Sequence, residues 1–248
     1  MRTANPALNS NTFENHRLTV ERADVMSIQG TVNRVALLFL LSLIAASWTW
    51  TLYFTTASTE AVMPWMIGGA IGGLIVAIVT VVKKEWAAVT APIYCVLEGL
   101  ILGGLSSILE AQFPGIVIQA VGLTFGILFC LLMAYKTGLI KATENFKLGV
   151  VAATGGIFLI YMVSYILGLF GATIPYIHES GLIGIGFSLF VVVIAALNLV
   201  LDFDFIESGA ASGAPKFMEW YAAFGLMVTL VWLYIEVLIL LVKLRSRD

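Results

Sequence analysis

Residues 197–207 of the chain, with the sequence LNLVLDFDFIE, place carboxylates at the end of one of its most apolar runs. A carboxylate inside a bilayer costs about 2.5–3.5 kcal/mol on insertion scales unless it is neutral, paired or facing water. The candidate partner is Glu236, which lies within the next apolar run, residues 228–242. We therefore predict that the rest of the chain is a scaffold that holds these acids together.

The composition indicates an all-α integral membrane protein. The chain has 248 residues, of which 60% are hydrophobic and 11% charged, too little polar surface for a soluble globule. Runs near the ~20 residues that cross a ~30 Å hydrocarbon core recur seven times, at roughly 33–55, 62–82, 88–109, 116–135, 148–170, 181–203 and 226–243. Uninterrupted runs of this length are not typical of an outer-membrane β-barrel. We predict a seven-transmembrane helix bundle over residues 31–248, preceded by a polar cytoplasmic tail, residues 1–30.

The basic residues predict the orientation of the bundle. With the N-terminus in the cytoplasm, ten of the 13 Lys and Arg residues fall inside and three outside, which fits the positive-inside rule. The three exceptions, Lys243, Arg245 and Arg247, follow the last span. We expect a cytoplasmic N-terminus and a C-terminus across the membrane.

Helical geometry separates the acids of the sixth span. Asn198 and Asp202 share one face, whereas Asp204 is rotated about 200° from Asp202. Asp202 is therefore the preferred partner of Glu236, and Asp204 is the open alternative. Depth adds a condition: residues 215–225 must form an interfacial or half-inserted helix, so that the last crossing begins near residue 226 and Glu236 lies only about 15 Å deep.

A further acid, Glu98, lies within the third predicted span. An ionisable residue inside a span is a functional candidate by default. Lys83 and Lys84, at the end of the second span, are salt-bridge candidates for it.

The remaining reactive side chains do not indicate an enzymatic activity. Cys95 and Cys130 fall within spans and are interpreted as small apolar residues. His16 and His178 have no nearby set of Cys, His or acidic residues of the kind that binds zinc. The sequence contains no Gly-x-Ser-x-Gly elbow and no His-Glu-x-x-His motif. The hydroxyl of Tyr161, in the fifth span, is expected to bond a neighbouring backbone carbonyl or to line a wet path. We predict a protein that is not an enzyme and needs no cofactor.

The ordered set of these features resembles the Bax inhibitor-1 family, the transmembrane Bax-inhibitor-motif proteins, and most closely its bacterial branch. The resemblance covers roughly residues 30–244. It rests on seven short-looped spans, on the acid that ends the sixth span, and on three short motifs: Glu98-Gly99-Leu100, Gly103-Gly104 and Tyr234-Ile235-Glu236.

The resemblance implies a pH-responsive latch, formed by one carboxylate from each of the last two helices, on a calcium-permeable path. Matched onto this chain, the latch falls on Asp202, with Asp204 as alternate, and on Glu236, which are then also the tentative Ca²⁺ ligands. Glu98 and Asn198 join them as candidates along the ion path. The resemblance further implies a bacterial plasma (inner) membrane. The chain departs from the family pattern by a longer segment between the acids and by Glu at the second position.

The chemistry of such a pair is simple. Two adjacent carboxylates in a low dielectric cannot both ionise cheaply, so they share a proton and titrate as a unit. Loss of that proton separates the helices and leaves oxygen ligands that suit Ca²⁺. The first hypothesis is therefore a pH-sensitive calcium leak channel or Ca²⁺/H⁺ exchanger, whose partners are the lipid bilayer, Ca²⁺ and protons. The alternative is a non-conducting regulator that binds another membrane protein, such as a protease. Nucleic acid is not an expected partner.

Overall fold

The computed structural model describes residues 25–171 and 179–247. Within these ranges, seven α-helices are long and apolar enough to cross a membrane. They are α1 (Ile28–Thr56), α2 (Thr59–Val82), α3 (Ala87–Gln112), α4 (Ile116–Lys136), α5 (Glu144–Leu169), α6 (Leu182–Ala211) and α7 (Met218–Arg245). A short 3₁₀ helix, Lys84–Trp86, joins α2 to α3. The predicted all-α, seven-span architecture is confirmed.

The first long helix begins at Ile28, before the predicted apolar run of residues 33–55. Residues 1–24 of the predicted tail lie outside the described ranges, as do His16 and His178. The remaining tail residues belong to the bundle: Val25 forms an isolated β-bridge with Pro215. Ser27 then caps α1, because its side chain accepts a hydrogen bond from the backbone N–H of Gly30 at 3.0 Å.

The last two helices are longer than predicted at the ends where they meet. α6 continues to Ala211, halfway through the Gly-, Ser- and Pro-containing segment 208–215 that was expected to form a loop, and α7 is one continuous helix from Met218 to Arg245. The prediction of a separate interfacial helix over residues 215–225 is therefore wrong. The physical reason is burial: Glu219, Ala222 and Ala223 are at most 3% exposed, so the first turns of α7 pack inside the protein.

α7 is the central helix of the bundle. It packs against α1, α3, α4 and α6, and Leu233 and Leu238 near its middle are fully buried. α5, in contrast, packs chiefly against α6, and its fully buried side chains are Val150 and Ile157. The bundle is thus a compact set of helices around α7 with α5 at its periphery.

Glycines of α3 allow close contact with α1. A Cβ atom at Gly99 would lie 2.3 Å from the carbonyl oxygen of Ser42, and one at Gly103 would lie 2.1 Å from that of Ala46. Small residues let helix backbones approach each other in a membrane. Cys95 lies buried on the same helix, as predicted for a packed residue, whereas Cys130 is exposed on α4.

Replacing Gly103 with alanine is expected to lower the free energy of unfolding by about 1–3 kcal/mol, because the added methyl group overpacks the α1–α3 contact. Thermal unfolding of the purified protein in detergent measures this effect. Gly126→Ala is the matched control, since a Cβ at Gly126 meets nothing within 4 Å. Equal stability of the two variants would contradict the close contact.

Candidate functional site

α6 and α7 run antiparallel, and polar contacts set their register. Near one end, Nζ of Lys243 donates to Oγ of Ser188 at 2.8 Å and to the carbonyl oxygen of Gly184 at 3.2 Å. Further along, the carboxylate of Asp202 lies beside the side chain of Thr229. The Oδ2 atom of Asp202 is buried without a hydrogen-bond partner. A buried, partly unsatisfied carboxylate is costly, which makes Asp202 a prominent feature of this interface.

Glu236 lies deeper along α7 and is 2% exposed. The hydroxyl of Tyr161 on α5 reaches both carboxylate oxygens, at 2.9 and 3.1 Å. The indole Nε1–H of Trp232, one turn before Glu236, donates to Oε1 at 3.1 Å. The nearby opposite charge is Lys243, two turns further along the same helix. Two neutral side chains, Tyr161 and Trp232, thus donate directly to this carboxylate.

Asp202 and Glu236 do not contact each other in this structure. Asp202 is level with Thr229, and Glu236 is seven residues further along the continuous α7, which corresponds to about 10 Å of helix rise. The predicted pairing required the last crossing to begin near residue 226, and the continuous α7 removes that condition. The structure thus places the two acids at separate levels of the last two helices.

A row of polar contacts, which we call the polar seam, joins α5 to α6 and α7. Its three pairs are Lys147–Asp204 at 2.8 Å, Thr154–Asn198 at 2.8 Å and Tyr161–Glu236 at 2.9 Å. The α5 members recur every seven residues, a spacing that keeps side chains on one helix face. The seam therefore attaches the peripheral helix to both acid-bearing helices.

Sequence reasoning missed the seam, although one signal for it was present. The seven-residue repeat of Lys147, Thr154 and Tyr161 is visible in the sequence, but each residue alone has an ordinary structural explanation. Tyr161 bonds Glu236 rather than a backbone carbonyl. Asp204 pairs with Lys147, in agreement with the prediction that it and Asp202 point in different directions.

Glu98 lies apart from the seam, on the α2 side of α3. It sits beside Tyr94, and a Cβ atom at Gly73 would lie 3.3 Å from its Oε1. Among the described residues neither Lys83 nor Lys84 forms a salt bridge with it. Nζ of Lys84 instead lies 5.2 Å from the ring centroid of Tyr221, so the predicted ion pair is absent from this structure.

Glu219, in the first turn of α7, is a buried acid that sequence reasoning assigned to the interface. It is 0% exposed, and its Oε1 accepts from the backbone N–H of Ser27 at 3.0 Å and from the Ser27 hydroxyl at 2.9 Å. Nζ of Lys216 lies 2.9 Å from the same oxygen. The backbone N–H of Met26 also donates to the carbonyl oxygen of Ala214 at 2.7 Å. These contacts tie the start of α1 to the turn between the two acid-bearing helices.

No preformed metal centre lies in the described part of the chain, where no three His, Cys, Asp or Glu side chains cluster. Ca²⁺ takes six to eight oxygen ligands, and Asp202 with Thr229 supplies only a few.

Comparison with known proteins identifies the family. The model of the family described as Bax inhibitor 1 like matches residues 5–246, nearly the entire chain. No match was found among curated proteins or among solved structures. The family match agrees with the seven long apolar helices, so this chain belongs to the Bax inhibitor 1-like family of multi-pass membrane proteins.

Proposed function

We propose that this protein is a pH-sensitive, calcium-permeable leak channel or Ca²⁺/H⁺ exchanger of a bacterial plasma membrane. Protonation of buried acids on the last two helices controls its opening. The sequence suggested one proton-sharing pair. The geometry supports two acids at separate levels, with Glu236 in the polar seam and Asp202 at the α6–α7 interface.

The observation that carries the proposal is the environment of Glu236. Glu236 is a membrane-buried carboxylate that accepts hydrogen bonds from a tyrosine hydroxyl on α5 and an indole N–H on α7. Ionisation adds a negative charge to this low-dielectric site, where the nearby cation, Lys243, also donates to Oγ of Ser188. Such a charge is stabilised by water or a cation. Ionisation therefore favours the entry of water or of a hydrated Ca²⁺ ion beside Glu236.

Asp202 is the second acid along the proposed Ca²⁺ path. Its buried Oδ2 has no partner, so a passing cation gains a carboxylate oxygen without breaking a hydrogen bond to that atom. Asp202 and Glu236 both lie within the apolar helices, so a path past them crosses the hydrocarbon region. A rise in pH therefore removes protons from these two acids and increases Ca²⁺ flux, whereas acidification closes the path.

Reconstitution tests the proposal directly. The purified protein in liposomes with a trapped calcium-sensitive dye is expected to admit Ca²⁺ faster than empty liposomes, with a rate that rises from acidic to neutral pH. The same flux in protein-containing and empty liposomes at every pH would reject a conducting role. It would leave the non-conducting regulator as the remaining hypothesis.

The proposal includes a cytoplasmic N-terminus, supported by the placement of the basic residues. In a background without Cys95 and Cys130, a membrane-impermeant maleimide added to intact cells is expected to label Ser246→Cys after α7. It should spare Lys141→Cys in the α4–α5 loop. Labelling of Lys141→Cys with protection of Ser246→Cys would reverse the orientation.

A further inference from the structure

A second feature of the bundle, separate from the polar seam, is a cavity of about 510 Å³ between α1, α3, α4 and α7. Of the helix pairs around it, α1 and α4 alone do not pack along their length. The ring contact recorded between these two helices is the edge-to-face pair Phe39–Phe125, with centroids 5.4 Å apart. The cavity therefore opens sideways between α1 and α4, toward the lipid that surrounds the spans.

The wall of the cavity offers an apolar surface. No charged side chain lines it, and most of its lining atoms belong to apolar groups. Most of its hydroxyls have partners within the protein: Ser106 bonds Tyr234 at 2.7 Å, Thr124 donates to the carbonyl oxygen of Ala120 at 2.8 Å, and Ser47 donates to that of Leu43 at 2.8 Å. Ordered water and ions need two or more free polar partners. The cavity is therefore suited to a hydrocarbon and not to an ion.

The dimensions of the cavity point to the kind of hydrocarbon. Its α1 wall extends from Phe39 to Thr51, twelve residues or about 18 Å of helix rise. One leaflet contributes about half of the ~30 Å hydrocarbon core. Trp50, at the C-terminal end of this wall, is of the type that lies at the headgroup level. We infer that the cavity binds one acyl chain of a bilayer phospholipid, which enters between α1 and α4 from the leaflet at the C-terminal end of α1.

An acyl chain bound in the cavity would lie against the central helix, α7. Leu230 and Tyr234 of α7 line the cavity, and Tyr234 is two residues, or about 200°, from Glu236. The acyl chain and the polar seam thus contact opposite faces of α7. Chain length and unsaturation are expected to affect the stability of the bundle through this contact, whether or not the protein conducts ions.

Fluorescence quenching tests the site. A protein whose tryptophans other than Trp50 are replaced by phenylalanine is reconstituted in phospholipids brominated near the headgroup end of the acyl chain. We expect strong quenching of Trp50 and no quenching by aqueous iodide. Val121→Phe, which fills the cavity, is expected to remove most of the quenching. Leu123→Phe is the control, because Leu123 lies on the same helix but is 49% exposed and outside the cavity.

Two results would overturn the inference. Equal quenching in the Val121→Phe and Leu123→Phe proteins would assign it to lipid on the outer surface of the bundle, and quenching by iodide alone would identify an aqueous vestibule. If the multiple tryptophan replacements prevent folding, native mass spectrometry of the otherwise unmodified chain can distinguish a phospholipid in the cavity from lipid on the outer surface. Val121→Phe should lose one tightly held phospholipid that Leu123→Phe retains, and retention by both variants would contradict the site.

Discussion

Replacing Glu236 with glutamine is expected to hold calcium flux at its acidic-pH level throughout the pH range. Glutamine is neutral at every pH, and its carbonyl oxygen can still accept from Tyr161 and Trp232, which now bond the carboxylate. The variant therefore keeps α5 attached and cannot gain the charge that opens the path. At neutral pH we expect flux to fall by about tenfold or more, a gating contribution of at least about 1.4 kcal/mol.

The measurement is dye-reported Ca²⁺ entry into liposomes at a series of pH values. Glu85→Gln is the control, since Glu85 is exposed in the 3₁₀ helix between α2 and α3. It removes the same charge without touching the seam, and its pH profile should match that of the wild type. A Glu236→Gln protein that still opens as the pH rises would exclude Glu236 as the controlling group.

Replacing Gly30 with leucine is expected to cause the largest loss of stability, about 3 kcal/mol or more. Even a Cβ atom at residue 30 would lie 2.0 Å from Oε1 of Glu219. The side chain must therefore push Glu219 away from Ser27 and Lys216. Overpacking costs about 1–3 kcal/mol, and separating a buried acid from its partners adds to that cost.

Thermal unfolding in detergent measures this loss, with Gly68→Leu on α2 as the matched control because a Cβ there meets nothing within 4 Å. The account also predicts that Gly30→Leu frees the start of α1 from the turn between α6 and α7. Protease cleavage within residues 25–30 should then become faster than in the control. A Gly30→Leu protein as stable as Gly68→Leu would show that the Glu219 contact is unimportant.

The sequence was sufficient for the architecture because the apolar runs are long and separate. Hydrocarbon thickness sets a minimum length for each span, and the observed α4, Ile116–Lys136, agrees with its prediction of 116–135 to within one residue. The directions of the two α6 aspartates were also predictable, since the angle between the side chains of Asp202 and Asp204 around the helix axis depends only on helical geometry.

The ends of the last two helices could not be predicted in the same way. Polarity near Lys216 and Glu219 suggested an interfacial segment, but Glu219 is buried by a contact with Ser27, 192 residues away. A local pattern cannot reveal a partner so distant in the chain. The start of the last helix was misjudged for this reason, and Glu236 lies seven residues of α7 beyond Thr229, the neighbour of Asp202.

The polar seam shows a similar limit at the candidate site. Glu236 was identified as a buried acid because its neighbours are apolar, yet its donor Tyr161 lies 75 residues earlier. Which polar residue of α5 faces which acid depends on how α5 is placed beside α6, and this placement has no local signature. The acids were therefore predictable, whereas their partners required the structure.

The most direct test of the central claim is calcium flux against pH for the wild type and for the double variant Asp202→Asn/Glu236→Gln, in liposomes with equal protein content. Wild-type flux is expected to rise from acidic to neutral pH, while the flux of the double variant is expected to stay low at every pH. A double variant that keeps the wild-type pH profile would contradict this mechanism and would move control to Glu98, the half-buried acid of α3 on the α2 side.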